Sequence, residues 1–88
     1  MADLAGFRQY AVIGSEESDS EVQLCLLAAK EFAKGAGVSE PSEETPSALY
    51  DMLVYRLATF YHDNRSFPKE SDAEYIGIGG MILQLREG

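Results

Sequence analysis

At 88 residues the chain is long enough for one hydrophobic core and too short for two. Its 45% hydrophobic and 25% charged residues place it among folded globular domains and exclude the low-hydrophobicity composition of disordered chains. Seven Lys and Arg against fifteen Asp and Glu give a net charge of −8, which repels phosphate backbones and anionic lipid surfaces and disfavours sequence-reading DNA binding.

The single cysteine, Cys25, excludes an internal disulfide and any thiolate-rich zinc site, and fits a reducing compartment. No metal framework survives that count, and no cofactor is expected. The longest nearly apolar run, Leu24 to Ala29, is far shorter than the roughly 18 to 20 residues that cross a bilayer. Residues 1–10 hold no basic start followed by an apolar block, so a soluble chain without a signal peptide or a membrane partner is expected. A core of this size supplies only about 3 to 5 kcal/mol of net stability, which makes association with copies of itself or with a partner a natural completion.

Asp3 to about Ala11 reads as a short helix with Leu4, Phe7 and either Tyr10 or Ala11 inward, although Gly6 costs it up to about 1 kcal/mol relative to alanine. The strongest periodic signal is Ser18 to Ala36. Ser18 and Glu21 have capping-box spacing, and Val22, Cys25, Leu26, Ala29, Phe32, Ala33 and Ala36 recur at steps of three and four. Acidic residues crowd its start, Lys30 and Lys34 lie toward its end, and Gly35 and Gly37 stop it. Leu24, Leu27 and Ala28 widen the apolar arc, which predicts a helix buried on two sides.

Val38 to Thr45 reads as a polar loop with nothing to bury, mobile in the isolated chain. Thr45 as N-cap with Pro46 at the first position predicts a second long helix over Ala48 to about Asp63. One stripe of it is Leu49, Met52, Leu53, Leu57 and Phe60, and an adjacent one is Tyr50, Val54, Ala58 and Tyr61. Ser66 to Glu74 is a second charged loop. Beyond it Tyr75 to Ile78 has extended character, Gly79 and Gly80 argue against a strand, and Met81, Ile82 and Leu85 fit a short closing helix. The expected fold is all-α: a single domain over residues 1–88, a small antiparallel bundle of two long helices plus short N- and C-terminal helices. Its core should contain Val22, Leu26, Ala29, Phe32, Leu53, Leu57 and Phe60.

Chemistry-bearing residues are few. His62 lacks a serine or cysteine nucleophile placed beside it, so it reads as a surface histidine favoured by the helix C-terminus, and no enzyme is expected. Cys25 lies inside an apolar stripe, where a free thiol behaves as a small hydrophobe. The GIGG of residues 77–80 lacks the lysine and flanking elements of a phosphate-binding loop, and reads as a hinge or a close backbone approach. Glu16, Glu17, Asp19 and Glu21 lack calcium-loop spacing and read as a solvated helix entrance. Arg56 shares a face with Leu49, Met52 and Phe60, so it must snorkel, pair with a carboxylate or meet another chain. Tyr50, Tyr55, Tyr61 and Tyr75 combine large contact area with a polar tip, as interface residues do.

Three segments together resemble a known family. They are the acidic turn GSEESDSEV leading into the helix VQLCLLAAKEFAKGAGV, with its Ala-Ala pair and glycine-closed end; ALYDMLVYRLATFYHDNR, ending in Tyr61, His62, Asp63, Asn64 and Arg65; and GIGGMILQLRE. Their order is similar to that of the small all-α head-tail connector, or adaptor, proteins of long-tailed bacteriophages and prophages. Gly77, Gly79 and Gly80 stand where that family often has a proline-led turn. The resemblance implies a structural protein that forms a cyclic homo-oligomer below the portal protein. Such a ring extends the DNA channel and carries the next neck or tail protein, with genomic DNA passing through it without sequence-specific binding. It implies the virion head-tail junction as location, and the host cytoplasm before assembly. Leu24, Leu27, Ala28, Arg56, Tyr55 and Arg65 are the candidate interface residues.

A different class of function competes with this one. A small acidic helical regulator, or DNA mimic, would use the carboxylates of 16–21, 40–44 and 70–74 to bind one host or phage protein.

Overall fold

The computed structural model describes residues 3–11, 13, 14, 17–42, 44, 45, 47–67, 69 and 73–87, apart from the side chains of 73, 74, 76 and 87. Four helices make up the regular structure, and no strand occurs among the described residues: α1 (Leu4–Ala11), α2 (Asp19–Gly35), α3 (Ala48–Asn64) and α4 (Ala73–Glu87). The domain is all-helical, as the periodicity predicts. Glu16, Glu43, Pro46, Pro68 and residues 70–72, which enter several of the sequence expectations, lie outside the described residues.

The start of α2 is closed by Ser18, whose hydroxyl accepts from the Glu21 amide, the expected capping interaction. Its far end is a Schellman turn. Gly37 takes φ 94°, its amide donates to the Lys34 carbonyl, and the Val38 amide donates to that of Ala33. Val38, the residue after the turn, is only 3% exposed. The segment after α2 is therefore anchored by an apolar side chain, contrary to the reading of Val38 to Thr45 as a loop with nothing to bury.

Ser47, not Thr45, caps α3, its hydroxyl accepting from the Tyr50 amide. Thr45 instead closes a turn with Ser42 through its amide and its hydroxyl. The buried side of α3 is Tyr50, Leu53, Val54, Leu57 and Ala58, a line between the two expected stripes. Met52 is exposed and Phe60 only half-buried, so Phe60 does not belong to the closed core. Phe32 is half-buried too, because it packs on Phe67 at the rim, ring centroids 4.6 Å apart. Tyr61 meets the same ring at 4.9 Å. Phe67 thus pins the segment after α3, a second anchor that the charged composition of Ser66 to Glu74 conceals.

The last helix is not short. α4 runs for 15 residues straight through Gly77, Gly79 and Gly80, which neither extend nor hinge. Packing replaces the missing propensity: Ile78 and Ile82 are buried in the core, a Cβ at Gly77 would lie 3.3 Å from Arg56 Nη1, and one at Gly79 would lie 3.1 Å from the Tyr75 ring.

The most extensive contact is between α2 and α3, with α1 against both and α4 against α3. The whole measures 39 × 36 × 18 Å. On the side of α2 away from the core, Leu24 and Leu27 stay exposed.

Candidate interaction surface

The expected interface residues separate into three places. Leu24, Leu27 and Ala28 share one face of α2, opposite the buried line of Val22, Cys25, Leu26, Ala29 and Ala33. Leu24 is 62% exposed and Leu27 47%, while Ala28 is half-buried. The arc that predicts two-sided burial is real, but one side is covered by the chain and the other faces outward.

Tyr55 belongs to an internal contact. Its ring stacks on Phe7, centroids 6.3 Å apart and planes 11° from parallel, and touches Tyr10 at 5.6 Å. The hydroxyl accepts from the Asp3 amide at 3.2 Å, next to the Asp3 carboxylate, which accepts from the Gly6 amide. A Cβ at Gly6 would overlap that hydroxyl. Gly6, a cost to α1 in propensity, is what lets Tyr55 dock.

Arg56 is exposed on α3 with its guanidinium over Gly77 of α4, and it makes no ion pair with a described residue. Arg65 is the C-cap of α3 in the left-handed conformation at φ 58°, its amide donating to the Tyr61 carbonyl at 2.7 Å. Its backbone role is local, whatever its side chain meets.

Within the acidic turn before α2, Glu17 and Asp19 have partners on other helices. Arg8 donates to the carbonyls of Gly14 and Glu17 at 3.0 and 2.8 Å and to the Asp19 carboxylate at 2.6 Å. His62 Nε2 lies 2.7 Å from Glu17 Oε2, and its Nδ1 lies 3.3 Å from Asp63. These hydrogen bonds, the Glu17 one first, raise the imidazole pKa above its ordinary value. The sequence reading of His62 as a surface residue misses this pair. Cys25 is buried, and burial raises its thiol pKa above the usual value, opposed by the Arg65 charge. A buried thiol so shifted is a poor nucleophile.

Among the described residues no three His, Cys, Asp or Glu side chains converge on a metal-sized space. No described helix is long and apolar enough to cross a membrane. Comparison of the chain with protein-family models, curated proteins and solved structures finds no match. Of the candidate interface residues, Leu24, Leu27, Arg56 and Arg65 are exposed, and Tyr55 and Ala28 are half-buried.

Proposed function

We propose that this chain is a structural subunit, a small head-tail connector that forms a ring with copies of itself below a portal protein. The observation that carries the reading is the exposed pair Leu24 and Leu27, which the chain's own core, closed around Leu26, Leu53 and Leu57, does not use. A cyclic assembly is heterologous, so an apolar patch on one subunit meets a different surface on the next. Exposed aliphatic pairs on an otherwise acidic surface are favourable to cover. The net charge of −8 suits a channel wall along which DNA slides without being held. In this reading the partners are the portal, neighbouring copies and the next neck or tail protein. The location is the virion head-tail junction, reached from the host cytoplasm.

The acidic-regulator reading is the weaker one, because Glu17 and Asp19, two of the carboxylates it needs at residues 16–21, are already held by His62 and Arg8. Electron microscopy of the chain mixed with its cognate portal tests the connector reading. A ring on the portal is expected for the wild type and none for Leu24→Glu, whose circular dichroism should remain that of a folded helical domain. Absence of a wild-type ring, or a normal ring from Leu24→Glu, overturns it.

A further inference from the structure

The outward surfaces of α2 and α3 each pair apolar side chains with one charge, and the two charges are of opposite sign. On α2, Leu24 and Leu27 are exposed, and exposed Glu21 stands one turn before Leu24. On α3, Met52 is 49% exposed, Leu49 is half-buried, and exposed Arg56 stands one turn after Met52. Neither Glu21 nor Arg56 makes an ion pair with a described residue. The buried lines of α2 and α3 meet in the core, so these two surfaces point away from one another. Two different surfaces on opposite sides are what a heterologous assembly requires.

Within one chain α2 and α3 run in opposite directions. Glu17, before α2, meets His62 near the end of α3, and Lys34 at the end of α2 lines the same cleft as Tyr50 at the start of α3. In a ring of more than a few copies, neighbours differ by a small rotation, so α2 of one copy lies antiparallel to α3 of the next. In that direction the positions match. Glu21, Leu24 and Leu27 follow at steps of three, and Arg56, Met52 and Leu49 at steps of four and three, about 4.5 to 6 Å per step on either helix. Setting Leu24 on Met52 therefore brings Leu27 to Leu49 and Glu21 to Arg56. We propose that a second copy of this chain covers the outward face of α2 with its α3, Leu24 and Leu27 packing on Met52 and Leu49 and Glu21 pairing with Arg56. The pairing rests on the ring reading above and names the surface that meets the leucines. Copies of charge −8 repel one another, and the Glu21–Arg56 pair supplies a local attraction that fixes the register.

Charge reversal of the full chain, read as assembly on the cognate portal by electron microscopy and sedimentation, tests this. Glu21→Arg and Arg56→Glu should each raise the protein concentration needed for half-assembly by at least about tenfold, since attraction becomes repulsion at every interface of the ring. The double variant, or an equimolar mixture of the two single variants, should restore assembly to within about threefold of wild type. A merely structural role of Arg56 over Gly77 would not be rescued by Glu21→Arg. As a second measurement, Leu24→Cys and Met52→Cys together in one chain should give, on oxidation, covalent ladders longer than a dimer. Either cysteine alone should give no disulfide between copies, the native Cys25 being buried. A covalent dimer from Leu24→Cys alone, or failure of the double charge variant to regain assembly, overturns the proposal. Wild-type rings that Arg56→Glu leaves intact overturn this pairing and spare the connector reading, whereas absence of any wild-type ring overturns both.

Discussion

His62 and Glu17, 45 positions apart in the chain, meet at 2.7 Å and fasten the end of α3 to the turn that enters α2. Arg8 holds the same turn from α1 through the Glu17 carbonyl and the Asp19 carboxylate. One imidazole and one guanidinium thereby connect α1, the entrance of α2 and the end of α3. Both side chains are largely shielded, which makes their interactions stronger than those of a fully solvated pair.

That pair makes stability depend on pH. The folded-state pKa of His62 is raised, first by the Glu17 hydrogen bond and then by Asp63. Its contribution is therefore fully present below the ordinary histidine value of about 6.5 and is lost as pH rises through the higher folded value. Thermal melts of wild type and His62→Gln should differ most below the ordinary histidine value of about 6.5, by on the order of 1 kcal/mol, and converge as pH rises through the raised folded value. A difference that is constant across that range would show that the pair contributes nothing through its charge.

Gly6→Ala should destabilise the fold although alanine is the better helix former by up to about 1 kcal/mol. The new Cβ would overlap the Tyr55 hydroxyl, and overpacking of this kind costs about 1 to 3 kcal/mol. In a Tyr55→Phe background the hydroxyl is gone and the penalty should shrink. Urea titrations of the two single variants and the double variant measure the coupling. Strict additivity would mean that the contact is relieved by simple movement of α1.

The helix ends allow a comparison among three positions. Arg65 is a non-glycine residue at φ 58°, so Arg65→Gly should stabilise by a few tenths to about 1 kcal/mol. Gly35 lies in the last turn of α2 with open space around it, and Gly35→Ala should also stabilise, by up to about 1 kcal/mol. Gly37→Ala should do the opposite, since φ is 94° and a Cβ would press on Arg86 Nε at 3.0 Å. Melting temperatures of the three variants decide the matter, and a gain for Gly37→Ala would be incompatible with the Schellman turn.

Short-range patterns were legible where one cause acts alone. The buried side of α2 follows its three- and four-residue spacing directly, and the Ser18 cap follows from its relation to Glu21. Two caps of equal chemistry compete at α3, and Ser47 prevails over Thr45 because Thr45 is engaged by Ser42 two residues too early. In α4 glycine propensity points away from a helix, and only the tertiary cover supplied by Arg56 and the burial of Ile78 and Ile82 overrides it. Phe67 and Val38 sit inside polar segments whose average composition hides them. For the candidate surface, helical spacing was enough to place Leu24, Leu27 and Ala28 on one face. It carried no information about which side of α2 the other helices would cover.

The two sides of α2 should respond oppositely to substitution, and this separates a core helix from a docking helix. Leu26 is 1% exposed against Leu24 at 62%. Leu26→Ala removes a fully packed side chain and should cost about 2 to 5 kcal/mol, a large part of the total for so small a domain. Leu24→Ala and Leu27→Ala remove side chains already in water, and each should change stability by less than about 0.5 kcal/mol. In the proposed ring those same outward leucines become buried, so their truncation should leave the monomer's denaturation midpoint in place and weaken association on the portal, with Leu24→Glu more severe because burial would leave its charge unpaired. Urea midpoints and sedimentation of the portal mixture, read on the same samples, separate the two effects. Loss of stability in Leu24→Ala comparable to that of Leu26→Ala would assign Leu24 to the core, and the outward face of α2 would no longer be available to a neighbour.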